Sequence, residues 1–145
     1  MRKLILLLLF IPIVFSCSKD SDEPETLTLQ IGDTYAGGIV FQVNGNGTSG
    51  LVARTGDSGA MRYWEAMELE SNGWFVPSIS HLETMYNTIG QGADNIGNFA
   101  NGTYWSSTYT GNNPIHVSIF NFSNGVASSG MNPVLNLRVR LISSF

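Results

Sequence analysis

The 145-residue chain holds a single cysteine, Cys17, close to its start. Everything after it can form no disulfide. It also carries no thiolate for nucleophilic, redox or metal chemistry. Charge is scarce as well, at 12% of residues, and from Tyr104 to Phe145 there is no Asp or Glu. Calcium needs several oxygen ligands, normally with carboxylates among them, so no calcium-bridged site is expected in that third. The formal net charge is −4 with no basic stripe, and a phosphate backbone would be repelled, which argues against nucleic acid. There are two histidines, His81 and His116, far apart in the chain. No HExxH, GxSxG or phosphate-loop pattern occurs. Glu65, Glu68, Glu70 and Glu83 read as exposed helix faces. These absences predict a protein that is not an enzyme, with no catalytic residue, no metal and no cofactor.

Long apolar runs are also missing. The one apolar run, Leu4 to Phe15, follows Arg2 and Lys3 and ends at Ser16-Cys17. It is too short to span a bilayer and has the plan of a secretory signal. The residues Val14-Phe15-Ser16 before Cys17 resemble a bacterial lipobox, with Phe15 bulkier than usual. The resemblance implies a signal over 1–16 and lipid on Cys17 as the mature N-terminus. The alternative is an ordinary signal cleaved nearby, leaving a free thiol. Loss of Arg2 and Lys3 with the signal leaves five Lys and Arg against eleven Asp and Glu, a formal −6. Residues 17–30 are polar and acidic and read as a flexible tether. Their "SKDSDE" start resembles the acidic export tags of surface lipoproteins. A plain solvated linker fits equally well.

Residues 31–145 are one domain's worth of chain. "GGIVFQV" and "LVAR" read as strands joined through the turn-rich "NGNGTSG". "AMRYWEAMELESNG", Ala60 to Gly73, reads as a helix stopped by Asn72-Gly73. A second helix follows Pro77, with Ser80 and Glu83 as its capping box and Leu82, Met85, Tyr86 and Ile89 on one face. His81 stands near its start without a partner acid or nucleophile and reads as part of the helix entrance. "TYWSS" looks extended, and "PIHVSIFNF" and "VASSG" flank the tight turn "SNG". "VLNLRVRLI" alternates cleanly, which points Leu135, Leu137, Val139 and Leu141 inward and Asn136, Arg138 and Arg140 outward. The order predicts an α+β fold, with two short helices on one side of mostly antiparallel sheet. Sequons at Asn46, Asn101 and Asn121 read as turns.

The succession "GGIVFQVNGNGTSGLVA", "YWEAM", "GWFVPSISHLETMYN", "GNFANGTYWSST" and "FNFSNG…LRVRLISSF" resembles a family of bacterial surface domains. That family is known from the C-terminal domain of the Legionella collagen-like adhesin and from the Fibrobacter major paralogous proteins. The resemblance covers about Gly32 to Phe145 and implies a C-type-lectin-like fold. It further implies that first and last strands pair, that Trp74 and Trp105 are core-type aromatics, and that a long irregular segment displays a ligand surface.

The expected function is a non-catalytic binding module for an extracellular glycan or protein, on a lipoprotein held at the outer membrane and exposed at the cell surface. The Asn-, Ser- and Tyr-rich composition of its last third is compatible with a diversified ligand-binding domain. The candidate contacts lie in Ser106–Leu135, which is rich in adaptable polar side chains. They are Tyr109, Asn112, Asn113, His116, Asn121, Asn124 and Ser128. A structural subunit of a surface assembly, with no soluble ligand, is the alternative.

Overall fold

The computed structural model describes residues 26–111 and 116–145. Cys17, Asn112 and Asn113 lie outside the described residues. The fold is α+β, built from two five-stranded, mostly antiparallel sheets and two helices. In chain order the elements are β1 (Thr34–Tyr35), β2 (Gly38–Val43), β3 (Gly50–Arg54), β4 (Ala60–Met61), α1 (Tyr63–Met67) and β5 (Trp74–Phe75). After these come α2 (Ile79–Thr88), β6 (Thr103–Thr110), β7 (His116–Asn121), β8 (Val126–Met131), β9 (Leu137–Arg138) and β10 (Ile142–Ser144). The first sheet runs β1-β2-β3-β10-β5 and the second β4-β9-β6-β7-β8.

Two helices on one side were expected, but they pack on opposite faces of the second sheet. Adjacent residues of a strand point to opposite faces. Tyr104 and Phe120 join Leu82, Met85 and Ile89 of α2 and Phe41 and Ala53 of the first sheet in one cluster. Trp105, Val117 and Ile119 join Tyr63 and Ala66 of α1 in another. Burial on both faces explains why β7 is buried from Val117 through Phe120 instead of alternating. Phe99 and Phe122 stack with ring centroids 4.4 Å apart, and Phe120, Tyr86 and Tyr104 pack around them. Such aromatic pairs add roughly 0.5–1.5 kcal/mol each beyond area burial.

Helix α1 is much shorter than the expected Ala60–Gly73. Ala60 and Met61 are drawn into pairing with Arg138 and Leu137. The helix then starts at Arg62, whose N–H donates to the Glu65 carboxylate at 2.8 Å. Asn72-Gly73 is not a helix stop. Both have positive φ, +52° and +81°, as a type I′ turn requires. Ser71 and Trp74 exchange both backbone hydrogen bonds across it, launching β5.

Helix α2 begins two residues before the expected Ser80/Glu83 box. Ser78 is the N-cap, its Oγ accepting from the His81 N–H at 3.3 Å, while the Ser78 N–H donates to His81 Nδ1. His81 fills the position that Glu or Gln takes in the usual box. Its imidazole lies edge-on between Phe41 and Phe75, and burial lowers its pKa.

The clean alternation of "VLNLRVRLI" fails for a topological reason. The chain leaves the second sheet after β9 and joins the first at β10, so Val139 to Ile142 cross between the sheets and all are buried. Arg140, expected outside, is 1% exposed, and Leu135, expected inside, is 40% exposed. Arg140 Nε donates to Asp57 Oδ1 at 2.7 Å. Its Nη1 donates to the carbonyls of Arg54 and Gly97, and Nη2 to that of Asn98. The guanidinium lies 4.3 Å over the Phe99 ring. Asp57 Oδ2 accepts from Tyr104 Oη at 2.9 Å. Burial, then the bond to Asp57, pushes the Tyr104 phenol up to about 12. The five donors of Arg suit such a knot, which ties loops and both sheets together at one point.

The last strand, β10, pairs with β3 and β5 rather than with the first strand. Gly50 and Phe145 exchange backbone bonds beside it. Trp105 is fully buried, its Nε1 donating to Met61 O at 2.7 Å, but Trp74 is only half-buried under Arg54. In the stretch read as tether, Leu29 is buried against Val40 and Val52 and its N–H donates to Gly47 O. Asn46 and Asn121 each accept from backbone N–H groups two residues on, as turn residues do, whereas Asn101 accepts from the Gln91 side chain.

Candidate functional site

Strands β6, β7 and β8 form a meander whose middle strand is flanked by two irregularities at the same level. Between Trp105↔Ile119 and Tyr109↔Val117, β6 advances four residues while β7 advances two. Between Ile119↔Ser128 and Val117↔Met131, β8 advances three residues against the same two. Both bulges therefore face Ser118. Bulges bend a strand and re-aim its side chains.

The sequence builds the first bulge with hydroxyls. Buried Ser106 donates from Oγ to Ser118 O at 2.7 Å and accepts from Thr108 N–H at 3.2 Å, replacing bonds that the ladder loses. Thr108 Oγ1 then accepts from the Ile79 N–H at the start of α2, and the Ser107 N–H donates to Pro77 O. "YWSST" and "GWFVPS" thus meet directly. The second bulge uses Gly130, whose φ of +81° is left-handed.

These distortions leave an open groove of about 230 Å³ lined by Ile79, Thr108, Ser118, Ala127, Ser128 and Ser129. It contains no ionisable side chain. The volume suits one side chain or one sugar ring, not the ~300–1,000 Å³ of a drug-sized pocket. Two further depressions among the described residues lie elsewhere. One is between the β2–β3 hairpin and Phe145, and the other is between Leu29 and the Asn44–Gly47 turn.

The described candidate contacts divide into two groups. Ser128 lines the groove. Tyr109 is 56% exposed and directly follows Thr108; His116 is exposed at the same end of the sheet, opposite Thr110. Burial, then Tyr109 and Glu70, raise the Tyr63 pKa. Asn121 and Asn124 sit at the other end of β7, roughly 17 Å away at ~3.3 Å per residue. Their side-chain oxygens accept from Ser123 N–H and Val126 N–H and shape the β7–β8 turn. Sequence reasoning missed Ile79, Thr108, Ser118, Ala127 and Ser129, because only strand pairing reveals the bulges. The "SST" hydroxyl run was their one visible trace.

Among the described residues, no three His, Cys, Asp or Glu side chains gather to hold a metal ion. No helix among them is long and apolar enough to cross a membrane. A scan against protein-family models finds no match, and a search of curated proteins finds none.

Proposed function

We propose that the chain is a lipid-anchored, non-catalytic binding module of C-type-lectin-like fold, taking a neutral extracellular ligand on the β6–β7–β8 sheet. The observation that carries the reading is the groove around Ser118. It is lined by hydroxyl and methyl groups, holds no acid or base, and is built by two bulges facing one strand. Neutral polar ligands are held by such groups with little desolvation penalty. Exposed Tyr109 lies on the same sheet, turned by its register with Val117 to the α1 face, and offers a ring at low conformational cost. Tyr109, His116 and Ser128 are the contacts retained from the sequence. Two mostly antiparallel sheets, two helices and a last strand returning to the first hairpin support the lectin-like assignment. The apolar N-terminal run ending at Cys17 supports the anchor and an outer-membrane, cell-surface location.

The test is binding of the full chain, in non-ionic detergent, to arrayed neutral glycans and to secreted proteins. A retained ligand should be lost when Ser128→Trp fills the groove while the melting temperature holds. Ligands retained equally by Ser128→Trp, or turnover of any bound compound, would sink the reading.

A further inference from the structure

The two sheets end in four edge strands. Three of them, β1, β4 and β5, are two residues long. The fourth, β8, is six residues long, Val126 to Met131, and its first five residues are exposed. Folded proteins usually shorten, charge or cover such edges, because a free edge recruits other chains. β8 contains neither charge nor proline. Among the described residues its one guard is the Gly130 bulge, which leaves Val126–Ser128 regular.

Edge and groove are the same place. Ala127, Ser128 and Ser129 of β8 form the outer wall of the groove, which runs inward past Ser118 to Thr108 and Ile79. A strand edge offers alternating N–H and C=O groups at the spacing of an extended backbone, and only another extended backbone matches that pattern. Charge narrows the occupant further. The last Asp or Glu in the chain is Asp94, so the β6–β8 sheet carries no acid, and the groove carries no charge of either sign. A charged segment gains no partner there.

We propose that β8 is an annealing edge. An extended, uncharged polypeptide segment of a partner protein adds to Val126–Ser128 as a further strand and seats one small apolar or hydroxyl side chain in the groove. This rests on the binding-module reading and narrows its ligand to a protein. Three regular residues are a short footing for a second folded copy, whose bulk would meet the Gly130 bulge and the β7–β8 turn. A free segment can bend around both.

The experiment pans a displayed library of random twelve-residue peptides against the full chain in non-ionic detergent, with a neutral-glycan array run in parallel. Enriched peptides should be uncharged over a central run of about three residues. Binding should fall about tenfold or more in Ser128→Lys, which charges the edge, and stay within about twofold in Thr34→Lys, which charges the β1 edge. Independently of any variant, the peptide should slow amide exchange in Val126–Ser128 of the parent chain. The proposal is overturned by a library with no enriched peptide, by peptides indifferent to Ser128→Lys, or by protection that appears elsewhere. Glycan binding lost in Ser128→Trp with no peptide binding keeps the module and removes the annealing edge. A dimer paired through β8 in the absence of peptide also removes it. Failure of glycan, secreted-protein and peptide binding together removes both.

Discussion

Among the described residues, the first sheet closes both edges with two-residue strands, whereas the second closes one that way and leaves β8 open. A second contrast lies within the last third of the chain. Arg140 is buried with its guanidinium bonded to Asp57 and three carbonyls, while β8 from Val126 to Gly130 holds only small residues exposed to water. One region is over-connected and the other under-connected. Stability is concentrated at the crossing between the sheets, and the free margin lies away from it. A margin with few structural duties can change residues cheaply, which is what a recognition surface needs.

The contrast breaks hardest at the knot. Asp57→Ala strands the Arg140 charge in the interior and should cost about 3–5 kcal/mol in chemical denaturation. Adding Arg140→Met removes the orphaned charge and should return part of that loss. If the double variant is as unstable as the sum of the singles, the two residues do not act as a pair.

Alkaline pH reaches the same knot through Tyr104. Its folded pKa is raised from 10.0 to about 12, so its contribution is complete below the unfolded value and lost as pH rises through the folded one. The melting temperature should fall between about pH 10 and pH 12. Tyr104→Phe should flatten that limb.

The bulge comes next. Ser106→Ala leaves the Ser118 carbonyl and the Thr108 N–H short of a partner, which should cost about 1–3 kcal/mol. It should also weaken any groove ligand, whereas an equal loss of stability elsewhere should not.

At the turn, Gly125 has φ +71° and an added Cβ would lie 2.7 Å from the Tyr86 ring. Gly125→Ala should cost about 1 kcal/mol or more by thermal melting. By contrast Ser128→Lys on the open strand should stay within about 0.5 kcal/mol.

The smallest effect belongs to His81. Its pKa is lowered by burial, so the unfolded chain binds its proton first. Stability from the neutral ring is present above the unfolded value and declines as pH falls through the folded one. His81→Gln keeps an acceptor for the Ser78 N–H and should reduce the slope of melting temperature between about pH 7 and pH 5. An unchanged slope would show that the ring does not titrate with folding.

Local signals in the sequence were legible wherever neighbours along the chain decide the outcome. The β2–β3 hairpin and the "SNG" turn follow from residues that accept tight backbone geometry. Helix α2 follows from Pro77 and the apolar spacing of Leu82, Met85 and Ile89. The capping box was misplaced by two residues because Ser78 and Ser80 are equal candidates by composition. Its choice depends on Thr108, 29 residues away, bonding the Ile79 N–H. Helix α1 was read too long because Ala60 and Met61 have good helix propensity but find strand partners in Arg138 and Leu137. Arg140 was turned outward because alternation assumes one sheet, and this segment serves two. Of the candidate contacts, Ser128 was reached by composition, while its neighbours in the groove were not.

By itself the sequence determined what the protein is made of: an α+β alternation of elements, no thiol beyond Cys17, and a last third without acid. Those properties reside in single residues and short repeats, so they survive without coordinates. Tertiary structure alone decided which face each strand shows, where Arg140 finds Asp57, and where two bulges meet at Ser118. Each of these depends on register between segments distant in sequence, and a shift of one residue in register reverses every side chain.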